Sequence, residues 1–290
     1  MVPCSDGFRG FHGSHAFDQT GKHADRIESP SSGSKSAPNY CPKAAVRVSY
    51  AANFPGGSGM LEVHLLTLFP EAVESYLNAS ILGRAQKAGL LRVHVLDFRR
   101  FAEGKHRHVD DRPYGGGPGM VLKPEPIFSA VEWVETTYGP CRKILLTPSG
   151  TPLRQSLATE FVKEERLLLL CGRYEGYDER IRMGMDWTEI SLGDFVLCGG
   201  ELGALVVIEA TARLIPGALG HDESAVFESF TDPQLLDHPH YTRPEVFRGM
   251  AVPEVLRSGD HAKVDRWRHQ RAVERTQERR PDLNPTQPNE

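Results

Sequence analysis

The sequence lacks long apolar runs, paired cysteine motifs and an excess of basic charge. Apolar stretches such as residues 167–171 are only five residues long, whereas a transmembrane helix needs about 20. The five cysteines include no C-x-x-C pair, which argues against a disulfide framework and a zinc site. The net charge of -4 gives no general affinity for phosphates. These absences exclude a membrane-spanning protein and favour a protein of the reducing cytoplasm.

Two common phosphate-binding patterns are also absent. Neither G-x-x-x-x-G-K-[ST] nor G-x-G-x-x-G follows a strand pattern in this chain. These loops hold the phosphates of nucleoside triphosphates and dinucleotides. The sequence therefore predicts neither an NTPase nor a dehydrogenase.

The chain is predicted to have four regions. Residues 1–59, rich in Gly, Ser, Pro and His, are predicted to be a disordered extension. Met60 directly precedes a strand pattern, so we hypothesise that translation starts there, which the mass of the native protein would test. Residues 60–219 alternate apolar strands with helices, a pattern typical of an α/β domain with a parallel sheet covered on both faces. Residues 220–234 are predicted to be an interdomain linker and residues 235–290 a small helical domain rich in arginine.

A local basic surface is predicted in the last region. Between His261 and Arg280, seven lysines and arginines stand against three acidic residues. Because nucleic-acid binding needs positive charge at the contact surface, this segment is the best candidate for contact with phosphates.

Four glycine-bearing loops are predicted at the ends of apolar strands, where open α/β sheets bind ligands. Glycine allows a backbone to approach a flat ligand without a side-chain clash. Each loop alone is more often an ordinary turn, so their convergence is what indicates a binding site. The loops are residues 110–119, 147–150, 171–176 and 191–200.

These segments resemble a known family. The motifs are D-D-R-P-Y-G-G-G-P-G-M at 110–120, C-G-R-Y-E-G at 171–176, G-G-E-L at 199–202 and H-Y-T-R-P at 240–244. They are similar to motifs of the bacterial tRNA (guanine-N1)-methyltransferases, and the resemblance runs from Met60 to about Asp282. It implies S-adenosyl-L-methionine-dependent methylation of N1 of the guanosine at tRNA position 37, beside the anticodon.

The resemblance implies a fold of the SPOUT class: an α/β domain with a mainly parallel sheet and a C-terminal trefoil knot, followed by a small helical C-terminal domain. Knots are rare exceptions to the rules of chain connection, so this expectation comes from the resemblance alone. It also implies that the methyl donor is held largely through backbone groups. The implied cofactor-binding residues are Leu145, Leu146, Gly172, Leu192, Gly193, Asp194, Phe195, Val196, Leu197, Gly199 and Gly200. Beside them, Gly203 replaces the proline usual in the family after G-G-E-L.

Methylation of guanine N1 needs a base for the N1 proton and a donor that stabilises negative charge on the carbonyl oxygen. The resemblance implies Arg213 as this donor, although an arginine at a helix end can equally interact with the helix dipole or with Glu209. It implies Glu228 as the base, in F-E-S-F, where the family has an aspartate before Ser-Phe. Asp222 and Asp232 are alternative bases, and a solvated linker carboxylate is the alternative interpretation of Glu228.

The resemblance further implies a homodimer, in which the cofactor comes from one subunit and the linker base and RNA-binding domain from the other. It implies binding of the tRNA anticodon arm, and a magnesium ion placed with the help of Glu175. A single carboxylate does not define such a site, because magnesium keeps waters and binds substrate oxygens as well. RNA contacts are predicted for the basic loop at 105–112 and for His238, His240, Tyr241 and Arg243.

Two other functions stay open on the sequence. One is an RNA-binding protein that keeps the fold without catalysis, suggested by glutamate in the place of the family aspartate. The other is a related methyltransferase that acts on rRNA or on a ribose hydroxyl, which the tRNA-type motif at 240–244 disfavours.

Overall fold

The computed structural model describes residues 60–219 and 228–283. The predicted extension at 1–59 and the alternative base Asp222 lie outside the described residues, as do residues 220–227 of the predicted linker. Across the described ranges, no helix has the length and apolar character needed to cross a membrane.

The strands are β1 (Leu61–Thr67), β2 (Leu91–Asp97), β3 (Asp110–Asp111), β4 (Val121–Leu122), β5 (Arg142–Pro152), β6 (Arg166–Leu170), β7 (Trp187–Ser191), β8 (Val246–Phe247) and β9 (Met250–Ala251). The α-helices are α1 (Glu71–Leu77), α2 (Ser80–Lys87), α3 (Pro124–Tyr138), α4 (Gln155–Phe161), α5 (Glu179–Met183), α6 (Glu201–Ala212) and α7 (His261–Arg279). Five strands form one sheet in the order β2-β1-β6-β5-β7, and every neighbouring pair is parallel. The prediction of a mainly parallel α/β sheet is therefore confirmed.

The apolar run of β6 explains why this sheet is covered on both sides. Successive side chains of a strand point to opposite faces. Leu167 and Leu169 pack in one core with α1, α2, α4 and α6, whereas Leu168 and Leu170 pack in a second core with α3 and Ile181 of α5. A strand buried on both faces reads as a continuous apolar run, as the sequence of β6 does.

Parallel pairing brings the carboxyl ends of the strands to one edge of the sheet. The loops after β6 and β7 lie at this edge, and β5 has an irregularity there, because its register with β7 shifts between Leu146 and Thr151. The intervening T-P-S-G is one of the predicted glycine loops. Three of the four predicted loops therefore meet at one edge.

The C-terminal segment contains less helix than was predicted. Residues 228–245 are irregular, and β8 and β9 pair in an antiparallel hairpin. Within the described residues of this segment, α7 is the only α-helix. Pro239, Pro244 and Pro253 precede α7, and each removes a backbone donor that a helix would need.

Candidate functional site

A cavity of about 320 Å³ opens at the carboxyl ends of β5, β6 and β7. Its walls are residues 146–148, 172–177, 190–193 and 195–200, together with Arg182 and Gly203. Volumes of this order are typical of small-molecule sites. The cavity thus lies where ligands bind in open parallel sheets.

Close backbone packing explains the glycine at position 200. Its amide donates a hydrogen bond to the carbonyl of Gly172 at 3.0 Å. A Cβ atom at this position would lie 2.7 Å from the Cα of Cys171 and 2.8 Å from the amide nitrogen of Gly172. A larger residue would therefore push apart the loops after β6 and β7.

The loop after β7 projects from the sheet. Gly193 has φ of 146°, which side-chain-bearing residues rarely adopt. The Ser191 hydroxyl accepts a hydrogen bond from the Gly193 amide at 3.2 Å and so closes the turn. Beyond the turn, Phe195 and Val196 are 55% and 85% exposed. The loop therefore presents apolar side chains at the mouth of the cavity.

A buried ion pair holds the base of this loop. Glu201 is 4% exposed, accepts a hydrogen bond from the Thr67 hydroxyl at 2.7 Å and pairs with the Arg173 guanidinium at 3.0 Å. Arg173 also donates to the carbonyl of Cys198 at 3.3 Å and lies 4.3 Å from the centre of the Phe69 ring. The sequence patterns did not predict this network of Thr67, Arg173 and Glu201. Its only sign in the sequence is the glutamate that follows two glycines in G-G-E-L.

Most of the predicted cofactor-binding residues line the cavity. They are Leu146, Gly172, Leu192, Gly193, Phe195, Val196, Leu197, Gly199 and Gly200. Leu145 does not, because its side chain is fully buried in the core formed with α3. Asp194 is exposed and is also absent from the cavity wall. Any contact that Leu145 makes with a ligand must therefore come from its backbone.

Two ionisable groups in or beneath the wall are held neutral. Burial raises the pKa of the Cys171 thiol and of the Tyr177 hydroxyl well above their usual values. The Tyr177 hydroxyl donates to the backbone carbonyls of Leu170 and Leu146, at 3.1 Å and 3.4 Å. Tyr177 therefore acts as an uncharged brace between β5 and β6.

Arg213 and Glu228 are in contact. An Arg213 Nη2 lies 2.7 Å from a carboxylate oxygen of Glu228, and the amide of Gln155 lies 3.5 Å from the other oxygen. The Glu228 side chain is only 16% exposed, unlike a solvated linker carboxylate. Glu209, the alternative partner of Arg213, instead accepts a hydrogen bond from the Tyr76 hydroxyl.

The alternative base Asp232 has a local role. One of its carboxylate oxygens accepts a hydrogen bond from the backbone amide of Gln234 at 3.0 Å. This contact is typical of an aspartate that stabilises a turn.

Glu175 is an exposed carboxylate at the cavity wall, and its amide donates to the carbonyl of Met120 at 2.9 Å. Within the described residues, ligand-type side chains converge in two groups, Glu62–His64–His94 and Asp237–His238–His240. Glu175 belongs to neither group.

The predicted basic surfaces are exposed. Lys105, His106, Arg107 and His108 lie in an exposed loop after β2. On α7 the exposed basic residues include Lys263, Arg266, Arg268, Arg271 and Arg279. Both surfaces are therefore accessible, although Lys263, Arg268 and Arg271 each pair with a nearby acidic residue.

The fold and the cavity together define a class: an α/β protein with a cavity of small-molecule size among glycine-rich loops at the carboxyl ends of parallel strands. Comparison with known proteins makes this more specific. A family model described as tRNA (Guanine-1)-methyltransferase TrmD matches residues 61–286. The chain belongs to this family of enzymes, which confirms the resemblance drawn from the glycine-loop motifs.

Individual relatives agree. The chain is 54% identical over 222 residues to the tRNA (guanine-N(1)-)-methyltransferase of Myxococcus xanthus, covering 76% of this chain and 89% of that protein. It is 54% identical over 223 residues to the enzyme of the same name from Brevibacillus brevis, covering 77% and 91%. Among solved structures, the tRNA (m1G37) methyltransferase of Aquifex aeolicus matches with a TM-score of 0.64 and 44% identity, covering 78% and 95% of the two chains.

Proposed function

We propose that this chain transfers the methyl group of S-adenosyl-L-methionine to N1 of the guanosine at position 37 of tRNA. Family membership supports the reaction, and the printed name of the Aquifex aeolicus structure supports the nucleotide. The observation that carries the proposal is the contact of Arg213 with Glu228 at 2.7 Å. It joins the two side-chain types that the chemistry requires.

The cavity is suited to this methyl donor. Its walls combine glycine backbone with the apolar side chains of Leu146, Ile190, Leu192 and Leu197. Such walls match a flat purine and an aliphatic tail, while free backbone groups supply hydrogen bonds. When bound, S-adenosyl-L-methionine supplies an electrophilic methyl group.

The remaining chemistry falls to this chain's own residues. Glu228 accepts the N1 proton of guanine, and Arg213 donates hydrogen bonds to the carbonyl oxygen, where negative charge develops. Gln155 and Arg213 hold the Glu228 carboxylate from both of its oxygens. The loop at 191–200 aligns the methyl donor, and the buried ion pair of Arg173 and Glu201 holds that loop in place.

We propose that the active unit is a homodimer. Arg213 follows the last residue of α6, whereas the cavity lies at the first turn of this helix, and neither Arg213 nor Glu228 lines the described cavity. A helix of 12 residues is about 18 Å long. Leu202 and Val206 of α6 are 63% and 47% exposed, one helical turn apart. A second copy of the chain that covers this apolar face would bring Arg213 and Glu228 of one subunit toward the cavity of the other.

The dimer has its own test. Val206→Glu should shift the mass measured by light scattering from a dimer toward a monomer and abolish methyl transfer, because it places a charge in an apolar interface. Arg84→Glu on the exposed side of α2 is the matched control and should leave both unchanged. A monomeric wild-type protein with full activity would contradict the dimer.

The finer features of the fold are also proposals. We infer a trefoil knot around β5, β6 and β7, supported by the backbone contact of Gly200 with Cys171 and Gly172. We infer a knotted methyltransferase domain over 60–219 and a tRNA-binding domain that begins at residue 235 and contains α7. The exposed basic residues of α7 support contact with the anticodon arm.

Two further assignments complete the proposal. Magnesium would be placed near Glu175, whose carboxylate stands at the cavity wall. The cytoplasm is the proposed compartment, since the cysteines of the described residues, Cys141, Cys171 and Cys198, are free.

The direct test is transfer of a labelled methyl group to an unmodified tRNA transcript, with the product nucleoside identified by mass spectrometry. The expected product is 1-methylguanosine, and a transcript with adenosine at position 37 should accept no label. Binding of tRNA without transfer would support the non-catalytic alternative. Label on the adenosine transcript, or on a ribose, would support a different methyltransferase.

A further inference from the structure

A second group of functional side chains lies in the C-terminal segment, apart from the cavity. Asp237, His238 and His240 each offer one ligand-type atom, and these atoms lie within 4.8 Å of one another. His240 Nε2 lies 2.8 Å from one carboxylate oxygen of Asp237, and His238 Nε2 lies 3.8 Å from the other. The shorter contact is a hydrogen bond in which His240 Nε2 donates to the carboxylate, so a metal ion at this nitrogen would replace that proton. The sequence predicts RNA contacts for His238 and His240, but the methyl-transfer step itself uses none of these three side chains.

The hydrogen bond of His238 determines which of its nitrogens is free. His238 Nδ1 lies 3.2 Å from the carbonyl oxygen of Pro239. Because a carbonyl only accepts, Nδ1 carries the hydrogen in this contact, and the Nε2 of the neutral ring has a lone pair. That lone pair faces a carboxylate at 3.8 Å, which is repulsive unless a proton or a metal ion lies between the two groups. Metal-binding histidines usually donate their other ring N–H in this way.

The Asp237 carboxylate and the backbone around it are held by hydrogen bonds. One carboxylate oxygen accepts from the His238 amide at 2.7 Å. The Asp237 amide donates to the Ser229 hydroxyl at 3.0 Å, and the Asp237 carbonyl accepts from Arg275 of α7 at 3.4 Å. The two histidine rings are 4.4 Å apart and tilted by 43°, and Pro239 between them restricts the backbone. The donors are therefore oriented before any ion binds.

The other converging group, Glu62, His64 and His94, has the wrong arrangement for a metal. The two imidazole rings are stacked at 4.8 Å with an angle of 6° between their planes, so their in-plane lone pairs run parallel. Arg166 also lies 3.2 Å from Glu62 and would repel a cation. Asp237, His238 and His240 differ in that both Nε2 atoms point at one carboxylate.

We propose that Asp237, His238 and His240 bind one divalent transition-metal ion, of the Zn²⁺, Co²⁺ or Ni²⁺ class, through one carboxylate oxygen and two imidazole Nε2 atoms. Bonds of about 2.0–2.2 Å are normal for such ligands, so the donor atoms must close by small side-chain rotations. The absence of C-x-x-C pairs excludes only cysteine-based sites. His240 is 68% exposed, which leaves a coordination position open to water or to a phosphate oxygen.

The test uses the full chain, freed of metal with a chelator, and titrated with Co²⁺ and then with Zn²⁺. Cobalt should give the visible absorption of a tetrahedral nitrogen–oxygen site at one equivalent, and zinc should displace it. His238→Ala and His240→Ala should each remove this signal and weaken Zn²⁺ affinity by about tenfold or more, measured by calorimetry. His269→Ala, an exposed histidine of α7, is the matched control and should keep the signal.

Histidines and cysteines elsewhere in the chain add the same background of metal binding to every variant. The decisive quantity is therefore the difference in cobalt absorption between a variant and the wild-type protein. Unchanged melting temperatures of His238→Ala and His240→Ala would show that the fold is intact. A wild-type protein that gives no saturable cobalt signal overturns the proposal, and so does a signal that survives both substitutions. Neither S-adenosyl-L-methionine nor tRNA is present, so the result is independent of the proposed methyl transfer.

Discussion

At the carboxyl ends of β5, β6 and β7, glycine loops surround a cavity of about 320 Å³. Near the middle of β1 and β2, by contrast, Glu62, His64 and His94 pack together against Arg166 and Tyr138. His64 is fully buried, and neither of its ring nitrogens has a hydrogen-bond partner within the described residues. The first region leaves backbone groups open for a ligand, whereas the second packs two imidazole rings against each other.

This difference separates function from stability. A change in the residues that carry the chemistry or face the ligand should mainly alter ligand binding or methyl transfer. A change among the buried histidines should alter stability and its pH dependence and leave methyl transfer intact.

The largest effect is expected at Arg213. Arg213→Ala removes the donor to the carbonyl oxygen, so the single-turnover rate of methyl transfer should fall by about a hundredfold to a thousandfold. Affinity for S-adenosylhomocysteine, measured by calorimetry, should not change, because Arg213 does not line the cavity. Arg84→Ala on α2 serves as the control. An equal loss of cofactor affinity would place Arg213 among the binding residues instead.

The buried His64 gives a prediction about how stability depends on pH. Burial, followed by the charge of neighbouring His94, lowers the pKa of His64 from 6.5 to about 3. Between these values the unfolded chain binds a proton that the folded chain does not, so stability falls as pH falls from 6.5 toward 3. From pH 6.5 to 5 this group should remove about 2 kcal/mol of unfolding free energy.

Urea unfolding of the wild-type protein and of His64→Leu, at pH 6.5 and at pH 5, measures the contribution of His64 to the unfolding free energy. The variant should lose less stability between the two pH values and should transfer methyl groups at the wild-type rate. Parallel losses in both proteins would show that His64 does not titrate as described.

A smaller effect is expected from glycine substitutions in the cavity wall. Gly200→Ala should lower affinity for S-adenosylhomocysteine by about tenfold, or 1.4 kcal/mol, because its Cβ meets the backbone of Cys171 and Gly172. Gly203→Ala is the matched control, since its Cβ would lie 3.2 Å from the movable end of the Leu146 side chain. Equal affinities for the two variants would contradict the close packing of these loops.

Sequence patterns predicted those features that depend on residues close together along the chain. The continuous apolar run of β6 indicated a buried parallel strand, and the glycine loops indicated the binding edge. The pattern does not predict β7, whose W-T-E-I-S is mixed in polarity because it is the edge strand next to β5. The hairpin of β8 and β9 was missed as well, since two-residue strands carry no periodicity.

Other features depend on contacts between distant residues. The pair of Arg173 and Glu201 joins segments 28 residues apart, and Thr67 joins Glu201 across 134 residues. Likewise, motif resemblance named Arg213 and Glu228, but only the fold shows them in contact. Periodicity gives no information on such pairs, because it reports the face of an element and not its partner.

The most direct measurement compares Glu228→Gln with Asp232→Asn in single-turnover methyl transfer to unmodified tRNA. Glutamine keeps the size of the side chain but cannot accept the N1 proton, so the rate should fall by about a hundredfold or more, with S-adenosylhomocysteine affinity unchanged. Asp232→Asn should keep the wild-type rate. Full activity in Glu228→Gln together with lost activity in Asp232→Asn would contradict Glu228 as the base.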